Sequence, residues 1–398
     1  MVRAVEATNS PSTSAEDVHF YSSSGGNAGL ACATAAATLG RPATVIVPMI
    51  TSQLMIGKLR ELGADVVQIG ENWAAADRHL REVAIPDFER AHPGSRAVYV
   101  PPFDHQDVWD GNATLVDELK SQMSESFDEQ IDAIICNVGG GGLMCGIMQG
   151  VQNLKDSGYG SPKVLAIETE GGDSLNASVE AGELVTLPGI TTIATSLGAT
   201  RVAEQAFAWV ERAGGDLISA VVSDKAAVDA MVRFLDHARI LVESACGATI
   251  ATVYNGDLRK YLGDGLSDQG WAQKNVVVVV CGGSNINLEM LEKYRKTFGM
   301  VYLNTFVKRF TGGPRWSSLC NVAAARTAVM TPRSPRKFAS EKDSEKDDVP
   351  RTATGEVQKQ TNFASEVGKK MQEVAPGGDP AGSASSGKGE QSKQERDK

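Results

Sequence analysis

The sequence predicts an α/β fold in which parallel sheets are covered by helices on both faces. Between about residues 20 and 300, short apolar runs rich in β-branched residues alternate with patterns of helical period. Strands buried on both faces are continuously apolar, and the helices between them supply the crossovers that parallel strands need. A break at Pro101-Pro102 divides this pattern. These observations predict two α/β units.

The strands are predicted at apolar runs that end in small or turn-forming residues. They are Ala43–Val47, Ala64–Ile69, Ala97–Val100, Ile131–Val138, Lys163–Ile167, Leu217–Val222 and Val276–Val280. The helices are predicted where apolar residues recur at helical spacing. They are Leu30–Leu39, Gln53–Leu62, Ala74–Ala84, Thr114–Met123, Val202–Arg212 and Lys225–Arg239. We expect Pro86 to stop the third helix and Ser223 to cap the last one.

Composition divides the chain into segments. Residues 1–17 are polar and are expected to be irregular, whereas residues 18–108 and 109–303 are expected to form a small and a large α/β domain. Residues 304–398 are expected to be a mostly disordered tail, because from about Thr331 they are mainly Ser, Gly, Pro and charged residues. Such a segment buries too little apolar area to offset a backbone entropy of about 1–2 kcal/mol per residue.

Charge and cysteine usage narrow the class of protein. Lys and Arg number 39 against 49 Asp and Glu, and the net charge of -10 argues against nucleic-acid and anionic-membrane partners. The longest apolar run, Val276–Cys281, is far too short to span a bilayer, and the first 19 residues lack the apolar region of a signal peptide. The six cysteines form no C-x-x-C pair, so we expect buried free thiols in a reducing cytoplasm.

A loop rich in hydroxyl, amide and glycine residues precedes the first predicted helix. Its sequence is Ser22-Ser23-Ser24-Gly25-Gly26-Asn27-Ala28-Gly29. The unpaired N–H groups at a helix N-terminus favour an anion, so a carboxylate or phosphate is the natural guest. The same composition is equally typical of a helix cap or turn. By itself this loop leaves both interpretations open.

A tetraglycine loop, Gly139-Gly140-Gly141-Gly142-Leu143, follows the predicted strand Ile131–Val138. A strand, glycines and a helix N-terminus in this order suit a phosphate, because backbone amides approach the oxygens freely. No Gly-Lys-Ser/Thr follows and the register departs from G-x-G-x-x-G, which excludes the common nucleotide motifs. The alternative is a tight turn, which rarely needs four glycines in a row.

A third glycine turn, Cys281-Gly282-Gly283-Ser284-Asn285, follows the strand predicted at Val276–Val280. Its thiol lies at the carboxyl end of a strand, where ligands dock in open α/β sheets. A single cysteine is otherwise most often a small buried hydrophobic residue.

Taken in order, these loops resemble those of fold-type II pyridoxal phosphate enzymes, and in particular the L-serine dehydratase (L-serine ammonia-lyase) family. The likeness extends over about residues 19–300. The matching segments are Ser23–Gly29, Pro101–Asp104, Gly139–Leu143, Glu168-Thr169, Leu241–Glu243, Ala245–Ala248 and Cys281–Asn285. The resemblance implies a tryptophan synthase β-like fold, pyridoxal 5'-phosphate as cofactor and a homodimer.

The resemblance also implies a role for each loop. The substrate carboxylate is assigned to the first loop, at Ser23, Ser24, Gly26 and Asn27. The cofactor is assigned to Asn27, which contacts its ring hydroxyl, to Cys281, which faces the pyridine nitrogen, and to the phosphate loop Gly139, Gly140, Gly141, Gly142 and Leu143. Glu168 and Gly172 match positions that line a monovalent-cation site, with K⁺ as the expected ion.

The implied reaction is the β-elimination of water from an amino acid. L-Serine would give pyruvate and ammonia, and L-threonine is the expected second substrate, in cytoplasmic amino-acid catabolism that feeds gluconeogenesis. The cofactor ring accepts the electron pair left when the Cα proton is removed. Relatives with cysteine synthase or threonine deaminase activity are the competing enzymes, and Cys281 argues against them because they carry serine there.

One expected element is absent from the sequence. The family carries its cofactor as a Schiff base on a lysine ahead of the serine-rich loop, but Met1–His19 contains no lysine. The first lysine, Lys58, falls in a helical pattern and is expected to face solvent. A gene model that starts too late is the explanation we favour. The alternatives are a truncated member that binds ligand without catalysis, and a second polypeptide that supplies the lysine.

Overall fold

The fold is built on two parallel four-stranded sheets. The computed structural model describes residues 1–6, 18–126 and 130–300. The strands are β1 Val18–Ser22, β2 Ala43–Val47, β3 Asp65–Gln68, β4 Arg96–Tyr99, β5 Ala133–Asn137, β6 Lys163–Thr169, β7 Leu217–Val222 and β8 Val276–Val278. Their order is β3-β2-β1-β4 in the first sheet and β7-β6-β5-β8 in the second, and every pair is parallel. The predicted α/β class is confirmed.

Helices connect the strands and cover the sheets. They are α1 Val2–Glu6, α2 Asn27–Thr38, α3 Gln53–Glu61, α4 Trp73–His79, α5 Ile85–Ala91, α6 Gln106–Ser126, α7 Gly142–Asp156, α8 Ser174–Ala181, α9 Glu204–Ala213, α10 Asp224–Ala238, α11 Ser244–Asn255, α12 Asp257–Leu262, α13 Asp268–Trp271 and α14 Leu288–Thr297. The predicted cap of α10 is confirmed, because the Ser223 side chain accepts a hydrogen bond from the backbone N–H of Ala226.

Each sheet has an apolar core on both faces. In the first sheet, α2 and α3 pack on one face around Phe20 and Leu59, while Leu80 and Tyr21 pack on the other. In the second sheet, α7 and α9 cover one face, and α10 and α11 cover the other. This double burial explains why the strands are apolar throughout rather than alternating.

The central strand of the first sheet, β1, was not among the predicted strands. Its sequence Val18–Ser22 is short and contains His19, so the apolar pattern is weak. The strand nevertheless pairs with both β2 and β4, and Val18 and Phe20 are fully buried. Pairing on both sides, which is a tertiary effect, stabilises it.

Two predictions, one about Pro86 and one about the N-terminus, are wrong. The helix expected to stop before Pro86 continues through it, because a π-helical stretch at Leu80–Ala84 joins α4 to α5 and Pro86 lies in the first turn of α5. In a first turn the missing N–H of proline costs no hydrogen bond. The N-terminus, expected to be irregular, begins with α1, where Ala4 and Val5 pack against the core of the first sheet.

The predicted domains 18–108 and 109–303 each contain one sheet, and helix α6 begins at Gln106, just ahead of the boundary between them. Their exact limits stay predictions. Residues 7–17 and the predicted tail 304–398 lie outside the described residues. Within the described ranges, no helix has both the length and the apolar composition needed to cross a bilayer.

Candidate functional site

Loops from both sheets meet at one cavity of about 270 Å³. Asn27, at the start of α2, lines it from the first sheet, and Cys281, Gly283 and Ser284, after β8, line it from the second. Parallel strands end at the same edge of their sheet, which is why loops far apart in sequence converge there. The structure thus brings together two predicted site residues, Asn27 and Cys281, that are 254 positions apart.

The side chain of Asn27 joins the two sheets. Its Nδ2 donates to Oε1 of Glu243 at 2.9 Å, and its Oδ1 accepts from the backbone N–H of Ser284 at 2.9 Å. Both ends of the amide are therefore held by the second sheet's loops. This arrangement fixes the orientation of Asn27 at the rim of the cavity.

Glu243 is a further residue of the site to which sequence reasoning gave no role. It lies just before α11 and lines the cavity, and its Oε2 accepts from the backbone N–H of Asn285 at 3.1 Å. A methyl group on Gly283 would lie 2.1 Å from Cδ of Glu243, so only glycine lets the carboxylate approach. The one indication in the sequence that Glu243 belongs to the site is its place in the Leu241-Val242-Glu243 segment, which matches the family.

The serine-rich loop is held from beneath by a buried carboxylate. Ser23 is fully buried, and its hydroxyl donates to Oδ1 of Asp77 at 2.7 Å. Tyr99 donates to the same oxygen at 2.7 Å, and burial raises the pKa of that phenol. Above them, the hydroxyl of Ser24 accepts from the N–H of Gly26 at 3.2 Å. These contacts set the shape of the loop ahead of Asn27.

The tetraglycine loop connects β5 to α7 and presents unpaired backbone donors. Among the described residues, the N–H groups of Gly139, Gly140, Gly141, Gly142 and Leu143 have no hydrogen-bond partner. Unpaired amides at the N-terminus of a 15-residue helix are donors that suit an anion. A methyl group on Gly140 would lie 2.2 Å from the ring of Phe103, and Gly141 has a φ of 94°. Packing and backbone conformation therefore require glycine here.

This loop does not itself line the cavity, as far as the described lining residues show. It is connected to the cavity through Asn137, the last residue of β5. The Nδ2 of Asn137 donates to Sγ of Cys281 at 3.2 Å and to the carbonyl of Ala245 at 2.9 Å. Because β5 and β8 are adjacent strands, the tetraglycine loop that follows β5 and the Cys281 thiol that follows β8 lie side by side.

Cys281 is exposed, whereas the prediction was buried thiols; Cys32, Cys136, Cys145 and Cys246 are buried as expected. Its position after the last strand puts it in the cavity wall rather than in the core. The thiol of Cys246 donates to its sulfur, which lowers the pKa of Cys281 to about 7 despite burial of part of the side chain. The pKa of Cys246 is raised in turn.

The two residues predicted to line a cation site are Glu168, near the end of β6, and Gly172, in the turn that follows it. Glu168 is fully buried, and its carboxylate accepts from the backbone N–H groups of Leu175 at 2.9 Å and Asn176 at 2.7 Å. It therefore caps the N-terminus of α8. Burial raises its pKa to about 8. Gly172 is buried nearby, with its N–H donating to the carbonyl of Thr169.

Lys58 does not face solvent freely, contrary to the prediction. It is half-buried, and its Nζ donates to the carbonyl oxygen of Ser284 at 2.5 Å. Helix α3 turns this side chain towards the loop after β8, a long-range contact that the helical pattern alone does not indicate.

Most of the chain, including the residues of this cavity up to Cys281, matches one known protein family. The family model described as "Pyridoxal-phosphate dependent enzyme" matches residues 2–282. The chain belongs to this family. The family assignment made from the sequence is confirmed, and so is the fold-type II architecture.

Relatives within the pyridoxal-phosphate dependent enzyme family are similar over most of their length. The chain is 44% identical over 282 residues to the L-serine dehydratase/L-threonine deaminase of Bos taurus, covering 71% of this chain and 81% of the relative. It is 42% identical over 277 residues to a serine dehydratase-like protein of Rattus norvegicus, covering 70% and 78%. The crystal structure of a fungal L-serine ammonia-lyase from Rhizomucor miehei superposes with a TM-score of 0.63 at 33% identity, covering 75% of this chain and 85% of that one.

The donors present fit the cofactor of this family. Unpaired amides of the tetraglycine loop suit its phosphate, and the amide of Asn27 suits a ring hydroxyl. The Cys281 thiol, in the wall of the same cavity as Asn27, suits a pyridine nitrogen.

Proposed function

We propose that this chain is a pyridoxal phosphate-dependent L-serine dehydratase that also accepts L-threonine. The elimination of water from L-serine would yield pyruvate and ammonia. The observation that carries the proposal is the convergence of Asn27 and Cys281 on one cavity, beside unpaired amides, in a chain 44% identical to a bovine L-serine dehydratase/L-threonine deaminase.

In this proposal the chain's own residues bind and orient. The amides of Gly139–Leu143 hold the cofactor phosphate, Asn27 contacts its ring hydroxyl, and Cys281 faces its ring nitrogen. When bound, the cofactor supplies a sink for the electron pair released at the substrate Cα. Glu243 positions Asn27 through the 2.9 Å hydrogen bond to Nδ2.

The substrate carboxylate is assigned to Ser23, Ser24, Gly26 and Asn27. Since the Ser23 hydroxyl already donates to Asp77, its part in this role is to shape the loop. The donors left for the carboxylate are backbone amides of the loop and the second N–H of the Asn27 amide, whose first N–H bonds Glu243. K⁺ is proposed at Glu168 and Gly172, where ionisation of the buried Glu168 carboxyl would accompany cation binding. A homodimer in the cytoplasm, acting in amino-acid catabolism, completes the proposal.

The alternative is a family member that binds ligand without lyase activity, because Met1–His19 contains no lysine. Two measurements on the full chain discriminate between them. Pyruvate formed from L-serine, coupled to lactate dehydrogenase, supports the dehydratase; binding of pyridoxal phosphate in equilibrium dialysis without pyruvate supports the alternative. Formation of cysteine from O-acetylserine, or of 2-oxobutanoate without any pyruvate, would point to the competing enzymes.

Gly141→Val tests the phosphate loop. The substitution strains a φ of 94° and adds bulk beside Ala206, so affinity for pyridoxal phosphate should fall at least tenfold. Gly158→Val is the matched control, because Gly158 has a φ of 74° at the other end of α7 with no atom near its added Cβ. Equal affinities of the two variants would refute the assignment of the loop.

A further inference from the structure

Two thiols meet at the wall of the cavity. Cys281 follows β8 and is exposed, whereas Cys246 lies in the first turn of α11 and is fully buried. The pKa of each thiol is shifted by the other. The backbone N–H of Gly282, the residue after Cys281, also donates to Sγ of Cys246 at 3.3 Å. One accessible thiol therefore lies beside one inaccessible thiol.

The surroundings stabilise a negative charge on the accessible sulfur. Its hydrogen bond from Cys246 lowers the pKa of Cys281 to about 7, and the Nδ2 of Asn137 donates to it from 3.2 Å. Glu243 opposes this effect, and Cys136 is the other titratable group nearby. The pKa of Cys246 is raised, so Cys281 is the thiol of the pair that ionises first. An accessible sulfur of this kind is the nucleophile in thiol chemistry.

Gly282, the residue after Cys281, has space around it. Gly282 and Gly283 have φ values of 75° and 88°, a region that glycine occupies without cost. A methyl group on Gly282 would meet no atom within 4 Å. Bond formation requires the sulfurs to approach to about 2.05 Å, and a short movement at Gly282 would supply it.

We propose that Cys281 and Cys246 form a peroxide-reactive pair, in which Cys281 is the site of oxidation and Cys246 closes a disulfide with it. In the first step the Cys281 thiolate attacks hydrogen peroxide; an S–O bond forms, the O–O bond breaks, and the released hydroxide takes up one proton and leaves as water. In the second step Cys246 attacks the resulting sulfenic acid, the S–S bond forms and a second water leaves. The two thiols lose two electrons in total, and the peroxide is reduced.

The disulfide has a consequence for the cavity. It would remove the thiol from the wall between Asn137 and Glu243 and tie the loop after β8 to α11. The proposal does not depend on the cofactor. If the proposed function also holds, oxidation would remove the group that faces the pyridine nitrogen, and binding of pyridoxal phosphate would weaken.

Peptide mapping of the full chain tests the disulfide directly. The protein is treated with hydrogen peroxide, blocked with iodoacetamide and digested with trypsin without reductant. We expect a peptide of residues 240–259 linked to one of residues 275–293, two hydrogens lighter than their sum and separated by dithiothreitol. Recovery of both peptides unlinked, with Cys281 intact or oxidised only to a sulfinic acid, would overturn the proposal.

Alkylation kinetics test the pairing. Labelling of Cys281 by iodoacetamide should reach half its maximal rate near pH 7, and Cys246→Ala should slow it about tenfold at that pH, because the donor is lost. Cys32→Ala, which removes a buried thiol on α2, is the matched control and should leave the rate unchanged. An unchanged rate in Cys246→Ala argues against the pair. Should that variant fail to fold, peptide mapping of the unmodified chain still decides.

Added pyridoxal phosphate separates this proposal from the proposed function. Protection of Cys281 from alkylation by the cofactor supports both. A disulfide that forms in a chain whose labelling is indifferent to the cofactor supports the thiol pair and contradicts the placement of Cys281 beside the ring.

Discussion

Replacing Asp77 by alanine tests the buried carboxylate beneath the serine-rich loop. Asp77 has a side-chain exposure of 6% and accepts from the hydroxyls of Ser23 and Tyr99, both at 2.7 Å. Hydrogen bonds to a charged group contribute about 1.5–3 kcal/mol each, so losing both costs about 3–6 kcal/mol. The 2.9 Å ion pair with Arg81, whose side chain is 59% exposed, adds at most about 0.5 kcal/mol.

Urea unfolding followed by far-UV circular dichroism measures this loss. Asp87→Ala is the matched control, because Asp87 also pairs with an arginine within one helical turn, Arg90, but has a side-chain exposure of 54%. Its free energy of unfolding should change by less than about 0.5 kcal/mol. Ser23→Ala and Tyr99→Phe should each cost about 1–2 kcal/mol. A loss below about 1 kcal/mol in Asp77→Ala, or equal losses in the two aspartate variants, would refute the reasoning.

Three further predictions concern single residues. Gly29→Ala should lower the free energy of unfolding by at least about 2 kcal/mol, because the added Cβ would lie 1.8 Å from the carbonyl oxygen of Ser24. The control Gly57→Ala, at an open helical position, should raise it by about 0.5–1 kcal/mol. Similar thermal melts for the two variants would contradict this prediction. Burial raises the pKa of Tyr21 from 10.0 to about 12, so its phenol contributes stability that is present below pH 10 and is lost as the pH rises to 12. In urea titrations, the free energy of unfolding of Tyr21→Phe should fall less between pH 10 and 12 than that of the unmodified chain. Equal falls in the two proteins would contradict this prediction. Gly283→Ala should displace the Glu243 carboxylate and weaken pyridoxal phosphate binding in equilibrium dialysis, with unaltered binding as the contrary result.

Much of the architecture was readable from local pattern. Strands β2 and β7 have the predicted bounds, because apolar β-branched runs between turn residues have few other stable conformations. The same holds for the glycine loops at strand ends. The apolar pattern did not predict β1, which is stabilised by pairing with strands on both sides. It also wrongly predicted a helix end at Pro86, where a π-helical stretch lets the helix continue.

The sequence by itself determined the α/β class, the family, and the turns that lead into the helices beginning at Asn27 and Gly142, since turns and helix starts depend on residues adjacent in the chain. Only the tertiary structure decided that Asn27 is held by Glu243, that Ser23 donates to Asp77, and that Cys246 lies beside Cys281. The partners in these contacts are 216, 54 and 35 positions apart in the sequence. Such contacts depend on how parallel strands from two sheets are ordered in space, and no local pattern encodes that order.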